Sequence, residues 1–404
     1  MEIKNSIPRI KLYFLYAILL LCILKPAKLW SISPRQPDSL ASTIELDNYL
    51  DKFTTKGKVP GLSLIVVKND SVIYSKGYGW ADIPKEIPAT PKTVYHWFSV
   101  TKIITAVSIL QLHEQGKLNI EDSVSKYLPY FNVKYPSDTS KTVTIRNLLN
   151  HSAGLPGAGM KIVKWVHHEA EPHWNQTEFL KTVLPEPPEL WFEPGEKTSY
   201  TNIAYMVLGA IIEAVTNQTY EDYVRQNILD PLGMNNTDFV YTKAMEPFEA
   251  GGSHPIINKY TPLVPFMVGS YIREIEGKYI WIKRVYNNQT PPSGLIGSAD
   301  DAARFVRAYL NKGILDGKRI LSEHSISMMT NEYYIKSWEK ASQGIGWQIY
   351  EKDHGNILHH GGGGVGFNCA MQLHPHKNLG FVLFSNSTLN SCSEIIEVVT
   401  TYSW

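Results

Sequence analysis

Strand-forming runs lie near both ends of this chain and helical periodicity fills the middle, and that order restricts the fold more than any single residue does. Gly61-Leu-Ser-Leu-Ile-Val-Val67 and Val72-Ile-Tyr74, joined through Lys68-Asn-Asp-Ser71, have the composition of a β-hairpin, with Gly77-Tyr-Gly79 read as its end. Strand character returns at Gly346–Tyr350, Phe367–Leu373 and Leu379–Phe384. Between them, Ile103, Ile104, Val107 and Leu110 recur at helical spacing, and Asn202–Val215 is a strongly apolar helix. Tyr220–Ile228 reads as a further helix closed by Pro231-Leu-Gly-Met234, and Thr144–Leu149 as a short one. Ser42-Thr-Ile-Glu45 has the capping-box pattern ahead of a stripe of Ile44, Leu46, Leu50 and Phe53, and Ser393–Tyr402 reads as a closing helix. The simplest assembly pairs the early hairpin with the late strands in one antiparallel sheet flanked by helices, an α+β fold with a mostly helical region inserted. On that reading the sheet region is about 40–95 and 293–404, the helical region about 96–246, and 247–292 an insertion near the cleft.

Composition removes several classes of function. With 404 residues, 43% hydrophobic and 19% charged, the chain can bury a large core, so disorder is not expected. Lys+Arg 39 against Asp+Glu 38 leaves no field to attract nucleic acid. No pair of the three cysteines has metal-ligand spacing; Cys369 and Cys392 are either a disulfide or two buried thiols. Residues 1–33 read as a signal peptide, because Lys4, Arg9 and Lys11 precede the short apolar run Leu12–Leu24. The residues around Ala27 make a poor cleavage site, so an uncleaved anchor is the alternative, and membrane contact is expected only there. Export to the periplasm or the extracellular space follows. The Asn-x-Ser/Thr triplets at Asn69, Asn175, Asn217, Asn235, Asn288 and Asn386 are acceptors only in a eukaryotic secretory pathway.

Three stretches carry chemistry. In Ser99-Val-Thr-Lys102 the serine and lysine stand at i and i+3, on one face of a helix, where the amine can take the hydroxyl proton. A lysine does so when burial or a neighbouring cation lowers its pKa. Tyr200-Thr-Asn202 opens an apolar helix. His360-Gly361-Gly362-Gly363-Gly364, between strand-like runs, strips side chains from a backbone that something else must approach closely. Each has an ordinary reading by itself: a capping serine, a helix entry, a flexible turn.

In that order the three resemble the Ser-x-x-Lys, Tyr-x-Asn and Lys/His-x-Gly motifs of serine β-lactamase-related proteins: class C β-lactamases, D,D-peptidases, D-aminopeptidases and esterases. Thr144-Ile-Arg-Asn-Leu-Leu-Asn-His-Ser-Ala-Gly-Leu-Pro156, Asp230-Pro-Leu-Gly-Met234 and Gly294-Leu-Ile-Gly-Ser-Ala-Asp300 are similar too, and the likeness covers about residues 40–400. It implies a β-lactamase/transpeptidase-like fold and an acyl-enzyme on Ser99, with no metal and no cofactor. Lys102 or Tyr200 would be the base, and Tyr200 would pass a proton to the leaving group. Asn202 would orient Lys102 and a substrate amide, and the backbone amides of Ser99 and Gly363 would form the oxyanion hole, with His360, Gly361 and Gly362 along the substrate. The substrate would be a β-lactam, a peptidoglycan-derived D-amino-acid peptide or a small ester. The departure is His360, where many members have lysine: with a pKa near 6.5 it is only partly charged at neutral pH, so carboxylate recognition is less assured.

Rival readings are weaker. His167, His168 and His173 with Glu169 and Glu171 lack the His-Glu-x-x-His spacing of a zinc hydrolase, and the chain has no Gly-x-Ser-x-Gly elbow. A catalytically inactive shell that binds peptidoglycan or senses a ligand would be expected to lose Ser99, Lys102 or Tyr200. Trp165, Trp174, Tyr271 and Trp281 are candidate walls of the pocket.

Overall fold

The computed structural model describes residues 42–137, 141–157, 166–168, 175–184, 186–256, 271–331, 333–336, 342–388 and 392–404. The leader 1–33, Trp165, Glu169, Glu171, His173 and Trp174 lie outside the described residues. Among the described residues no helix is long and apolar enough to cross a membrane.

The strands β1 (Gly61–Lys68), β2 (Ser71–Asp82), β3 (Ile87–Pro88), β4 (Tyr333–Lys336), β5 (Ser342–Gly344), β6 (Gln348–Tyr350), β7 (Ile357–Gly364), β8 (Phe367–His374) and β9 (Leu379–Ser385) form one antiparallel sheet. Its order is β4-β5-β6-β7-β8-β9-β1-β2-β3, so the first of these strands pairs with the last, Leu62 opposite Ser385. Around β1 and β9 both faces are covered, which explains why those strands are mostly apolar rather than alternating, whereas β2 is exposed along its first half. In β1, Leu64 and Val66 join the core beneath α1 (Thr43–Thr55) and the closing helix Cys392–Val399, whereas Ile65 and Val67 join the core shared with the helical region. In β9, Phe381 and Leu383 take the first core, and Val382 and Phe384 the second.

Details depart from the pattern-based reading. In α1, capped by Ser42, the buried stripe is Leu46, Tyr49, Leu50 and Phe53, while Ile44 is exposed. β2 does not stop at Gly77-Tyr-Gly79 but runs on to Asp82. The glycines mark close approach instead: a Cβ on Gly77 would lie 2.1 Å from the Ala89 carbonyl oxygen. The helix begun at Tyr220 does end within Pro231-Leu-Gly-Met234, but at Gly233, with φ +62, rather than at Pro231. The helix passes through a π turn at Arg225–Leu229 and continues over Asp230–Leu232. Proline lacks the N–H that would serve the Asn227 carbonyl four residues back, and the Gln111 amide supplies that hydrogen bond at 3.0 Å. Trp281 is fully buried and cannot wall a cleft. Asn386 is also fully buried, accepting from the Gly61 N–H at 2.8 Å, so no glycan fits there.

Two helices position the chemistry. α2 (Thr101–Glu114) is buried on every side from Thr101 through Leu112, its polar residues Thr101, Lys102, Thr105, Ser108 and Gln111 included, and so lies within the core. Against it packs α3 (Asn202–Thr216), buried from Ile203 through Glu213. Gly209 on α3 leaves space for the Gln289–Gly294 segment: a Cβ there would lie 2.2 Å from Pro291 Cγ. The segment thereby reaches α2, where Thr105 Oγ1 donates to the Pro291 carbonyl at 2.6 Å.

Candidate active site

Ser99 sits on a single 3-10 turn, Phe98–Val100, that leads into α2. Phe98 has φ +44, a left-handed conformation costly for a residue with a bulky side chain, and the neighbours hold it there. Its ring stacks on His96 with centroids 5.5 Å apart. Trp97 is fixed on both sides: its N–H donates to the Leu295 carbonyl at 2.9 Å, and its own carbonyl accepts from Cys369 Sγ at 2.8 Å. Cys369 and Cys392 are both buried free thiols.

The first turn of α2 brings Lys102 beneath Ser99. Its Nζ is 3.2 Å from Ser99 Oγ, 2.8 Å from Asn202 Oδ1 and 3.0 Å from the Pro292 carbonyl. The side chain is fully buried, and desolvation pushes its pKa well below the ordinary lysine value. Asn202 is held in turn, its Nδ2 donating to Gln289 Oε1 at 2.9 Å. The Tyr200 ring lies 4.8 Å from Lys102 Nζ and 4.4 Å, centroid to centroid, from His151. One face of Tyr200 is open, at 41% exposure, yet burial around its hydroxyl raises the pKa, partly offset by a hydrogen bond with Ser99. His151 is buried at φ +60 and held neutral by desolvation and by Lys102 and His360 nearby.

The glycine run is the C-terminal half of β7, not a flexible turn. Its edge toward β8 is paired from Leu358 to Gly364. The other edge is paired with β6 only at Ile357, Leu358 and His359, which leaves Gly361–Gly364 as an open rim facing the serine turn. Gly362 has no room for a side chain: a Cβ would lie 2.2 Å from the Trp97 carbonyl and 3.2 Å from the Ser99 nitrogen. His360 is 4% exposed, with Nδ1 2.9 Å from the Gly361 carbonyl and its ring 6.2 Å from that of Tyr200. His359 points to the opposite face, Nε2 3.0 Å from Ser393 Oγ.

A family model described as Beta-lactamase matches residues 46–394. The chain belongs to the β-lactamase family. Among curated proteins it is 28% identical to Protein flp of Staphylococcus aureus over 364 residues, 88% of this chain and 66% of that protein. It therefore spans just under two thirds of the length of the curated relatives it matches first. It is also 26% identical to a putative D-alanyl-D-alanine carboxypeptidase of Escherichia coli, covering 81% of this chain and 77% of that one. Among solved structures, the octameric penicillin-binding protein homologue from Pyrococcus abyssi superposes with a TM-score of 0.71 at 28% identity, covering 88% of this chain and 75% of that one. The fold is thus β-lactamase/transpeptidase-like.

At His360 one expectation needs correction. His360 is not a partly charged group with a pKa near 6.5: burial, with Lys102 beside it, pushes its pKa down to about 3. Between pH 5 and 8 it is neutral, so a pH–rate profile should show the same inflections in the wild type and in His360→Gln. An inflection near pH 6.5 that disappears in the variant would restore a charged histidine. Sequence reading also missed Gln289, the Pro292 carbonyl and His151. The last stood within the Asn150-His151-Ser152-Ala153-Gly154 stretch, whose left-handed histidine and glycine mark a sharp turn. Gln289 and Pro292 lay in a stretch read as insertion, with no pattern to single them out. Among the described residues no three His, Cys, Asp or Glu side chains group to hold a metal.

Proposed function

We propose that this β-lactamase-family protein is a serine hydrolase that forms an acyl-enzyme on Ser99, with Lys102 as general base, and that it prefers short-chain esters or uncharged amides. The observation that carries this is the set of partners around Lys102. A neutral amine has two N–H donors and one lone pair. Two of its three neighbours, Asn202 Oδ1 and the Pro292 carbonyl, are acceptors and take the two hydrogens. The lone pair is left for the third, the Ser99 hydroxyl at 3.2 Å. The serine proton then passes to Lys102 as its oxygen bonds the carbonyl carbon. Tyr200, whose raised pKa keeps it a phenol, relays that proton to the departing alcohol or amine. Water repeats the sequence to release the acid. The oxyanion would meet the Ser99 and Gly363 amides, with Asn202, Gly361 and Gly362 along the substrate.

Substrate preference follows from His360. A neutral imidazole offers a hydrogen bond but no fixed cation, which favours esters over carboxylate-bearing β-lactams. The second reading is a D-amino-acid peptide from peptidoglycan, favoured by the likeness to the putative carboxypeptidase. Labelling with a fluorophosphonate or a fluorescent penicillin, followed by intact mass, tests the proposal. An adduct on Ser99 that is absent in Ser99→Ala supports it. No adduct with any acylating probe would leave the inactive binding or sensor reading in its place. We also infer export, supported by Lys4, Arg9 and Lys11 ahead of Leu12–Leu24. Fractionation should find the chain outside the cytoplasm.

A further inference from the structure

The Tyr200 ring stands beside Lys102 with one face open, and a single residue, His151, engages it in three ways. Ser199 and Thr201 flank Tyr200, and both give their backbone N–H to His151: Ser199 to its carbonyl at 2.9 Å, Thr201 to its Nδ1 at 3.4 Å. Thr201 is extended, at φ -146 and ψ 138, and in an extended chain the N–H groups of residues two apart point to the same edge. One residue can therefore take both. The third contact is the imidazole itself, packed 4.4 Å from the Tyr200 ring and 5.1 Å from that of Tyr205. Tyr205 is tied to the same region, its hydroxyl donating to the Leu149 carbonyl at 2.8 Å.

His151 is itself fixed. It follows the short helix Ile145–Leu149 at φ +60, and its N–H donates to the Leu148 carbonyl at 3.3 Å. Ser152, the next residue, is held by its N–H on the Asn147 carbonyl at 2.8 Å and by its Oγ on Asn150 Oδ1 at 2.7 Å. A turn of this kind asks only for a left-handed backbone, which glycine supplies without a side chain. The imidazole is explained by what it touches. Desolvation, with Lys102 nearby, keeps the ring neutral, so Nδ1 has its lone pair free for the Thr201 N–H and the ring proton sits on Nε2.

We propose that His151 is the positioning residue for Tyr200, clamping the phenol by its carbonyl, its Nδ1 and its ring so that the hydroxyl stays in line with Ser99 and Lys102. The inference rests on the reading of Tyr200 as proton relay. In that step the bond from the carbonyl carbon to the leaving oxygen breaks and its electron pair stays on that oxygen. The oxygen takes the Tyr200 proton, and Tyr200 takes one from the Lys102 ammonium. Transfer of this kind needs heavy atoms within about 2.6–3.2 Å of one another, so a phenol free to swing through its open face would miss. His151 touches no substrate; it acts through Tyr200.

The test compares kcat/KM of the whole chain on two esters of one acid, 4-nitrophenyl butyrate and ethyl butyrate. Nitrophenolate departs without a proton, whereas the ethyl ester must be given one. Their ratio is independent of how much of a variant is folded, and the shared hydrolysis of the acyl-enzyme drops out of kcat/KM. In His151→Gly, which keeps the left-handed backbone, the ratio of nitrophenyl to ethyl ester should rise about 10²-fold, the effect of about 1 Å of misplacement. Should that variant not fold, His151→Asn, which tolerates the same φ, should show a smaller rise in the same direction. Tyr200→Phe should raise the ratio at least as far, and adding His151→Gly to it should raise it no further, because the two act as a unit. An unchanged ratio in the His151 variants beside a raised one in Tyr200→Phe would overturn the role of His151 and leave the relay standing, as would a further rise in the double variant. An unchanged ratio in Tyr200→Phe would overturn the relay, and the role of His151 with it. A wild type that turns over neither ester would sink the ester reading and this inference together.

Discussion

Lys102→Met should lower kcat/KM on a short-chain ester by about 10²–10⁴-fold, the range expected when a positioned base is removed. Methionine keeps the buried volume at the head of α2, so the loss reports the amine rather than a cavity. The same substitution should flatten the dependence of thermal stability on pH. The folded-state pKa of Lys102 is lowered by burial, so between that value and the ordinary lysine pKa of about 10.4 the unfolded chain binds the proton and the folded chain does not. Stability therefore rises with pH through that window in the wild type, and this contribution to the slope vanishes in Lys102→Met. A variant with undiminished kcat/KM would remove Lys102 from the mechanism. An unchanged slope of Tm against pH would mean that the lysine is charged in the folded protein.

Gly362→Ala should cost activity out of proportion to its size. The added methyl would stand 2.2 Å from the Trp97 carbonyl, just ahead of the serine turn, and 2.6 Å from Cys369 Sγ on β8, which donates to that carbonyl. Either β7 or that turn must move, which would displace the Ser99 and Gly363 amides that are proposed to bind the oxyanion. Loss of a single oxyanion donor costs about 10²–10³ in kcat, with overpacking adding about 1–3 kcal/mol of destabilisation. Gly363→Ala is the control. Its Cβ would meet only the Asn368 side-chain amide, at 3.0 Å, which can shift, and its backbone amide is retained. If the two variants lose activity equally, the close approach at Gly362 is not what aligns the site.

The centre of the sheet could be read in advance because β1 and β9 are covered on both faces. Continuous apolar runs such as Leu62–Val67 and Leu379–Phe384 leave little else to become. The open rim at Gly361–Gly364 was harder, since glycines serve flexible turns and crowded strands alike. The pairing of Gly362 with Cys369, and the absence of a β6 partner beyond His359, distinguish the two. The π turn before Pro231 had no local signature, because the group that satisfies the Asn227 carbonyl, Gln111, comes from another helix.

The sequence by itself determined the spacing of Ser99 and Lys102, the order of the three motifs and the helix entry that carries Tyr200 and Asn202, because these depend on neighbours a few residues apart. Only the tertiary structure decided the state of the site. Asn202 and Pro292 reach Lys102 from 100 and 190 residues away along the chain, and they fix where its hydrogens point. Burial by the same surroundings lowers the pKa of Lys102 and holds His360 neutral where its ordinary pKa would leave it partly charged. Desolvation is a property of everything packed around a group, and no tetrapeptide encodes it.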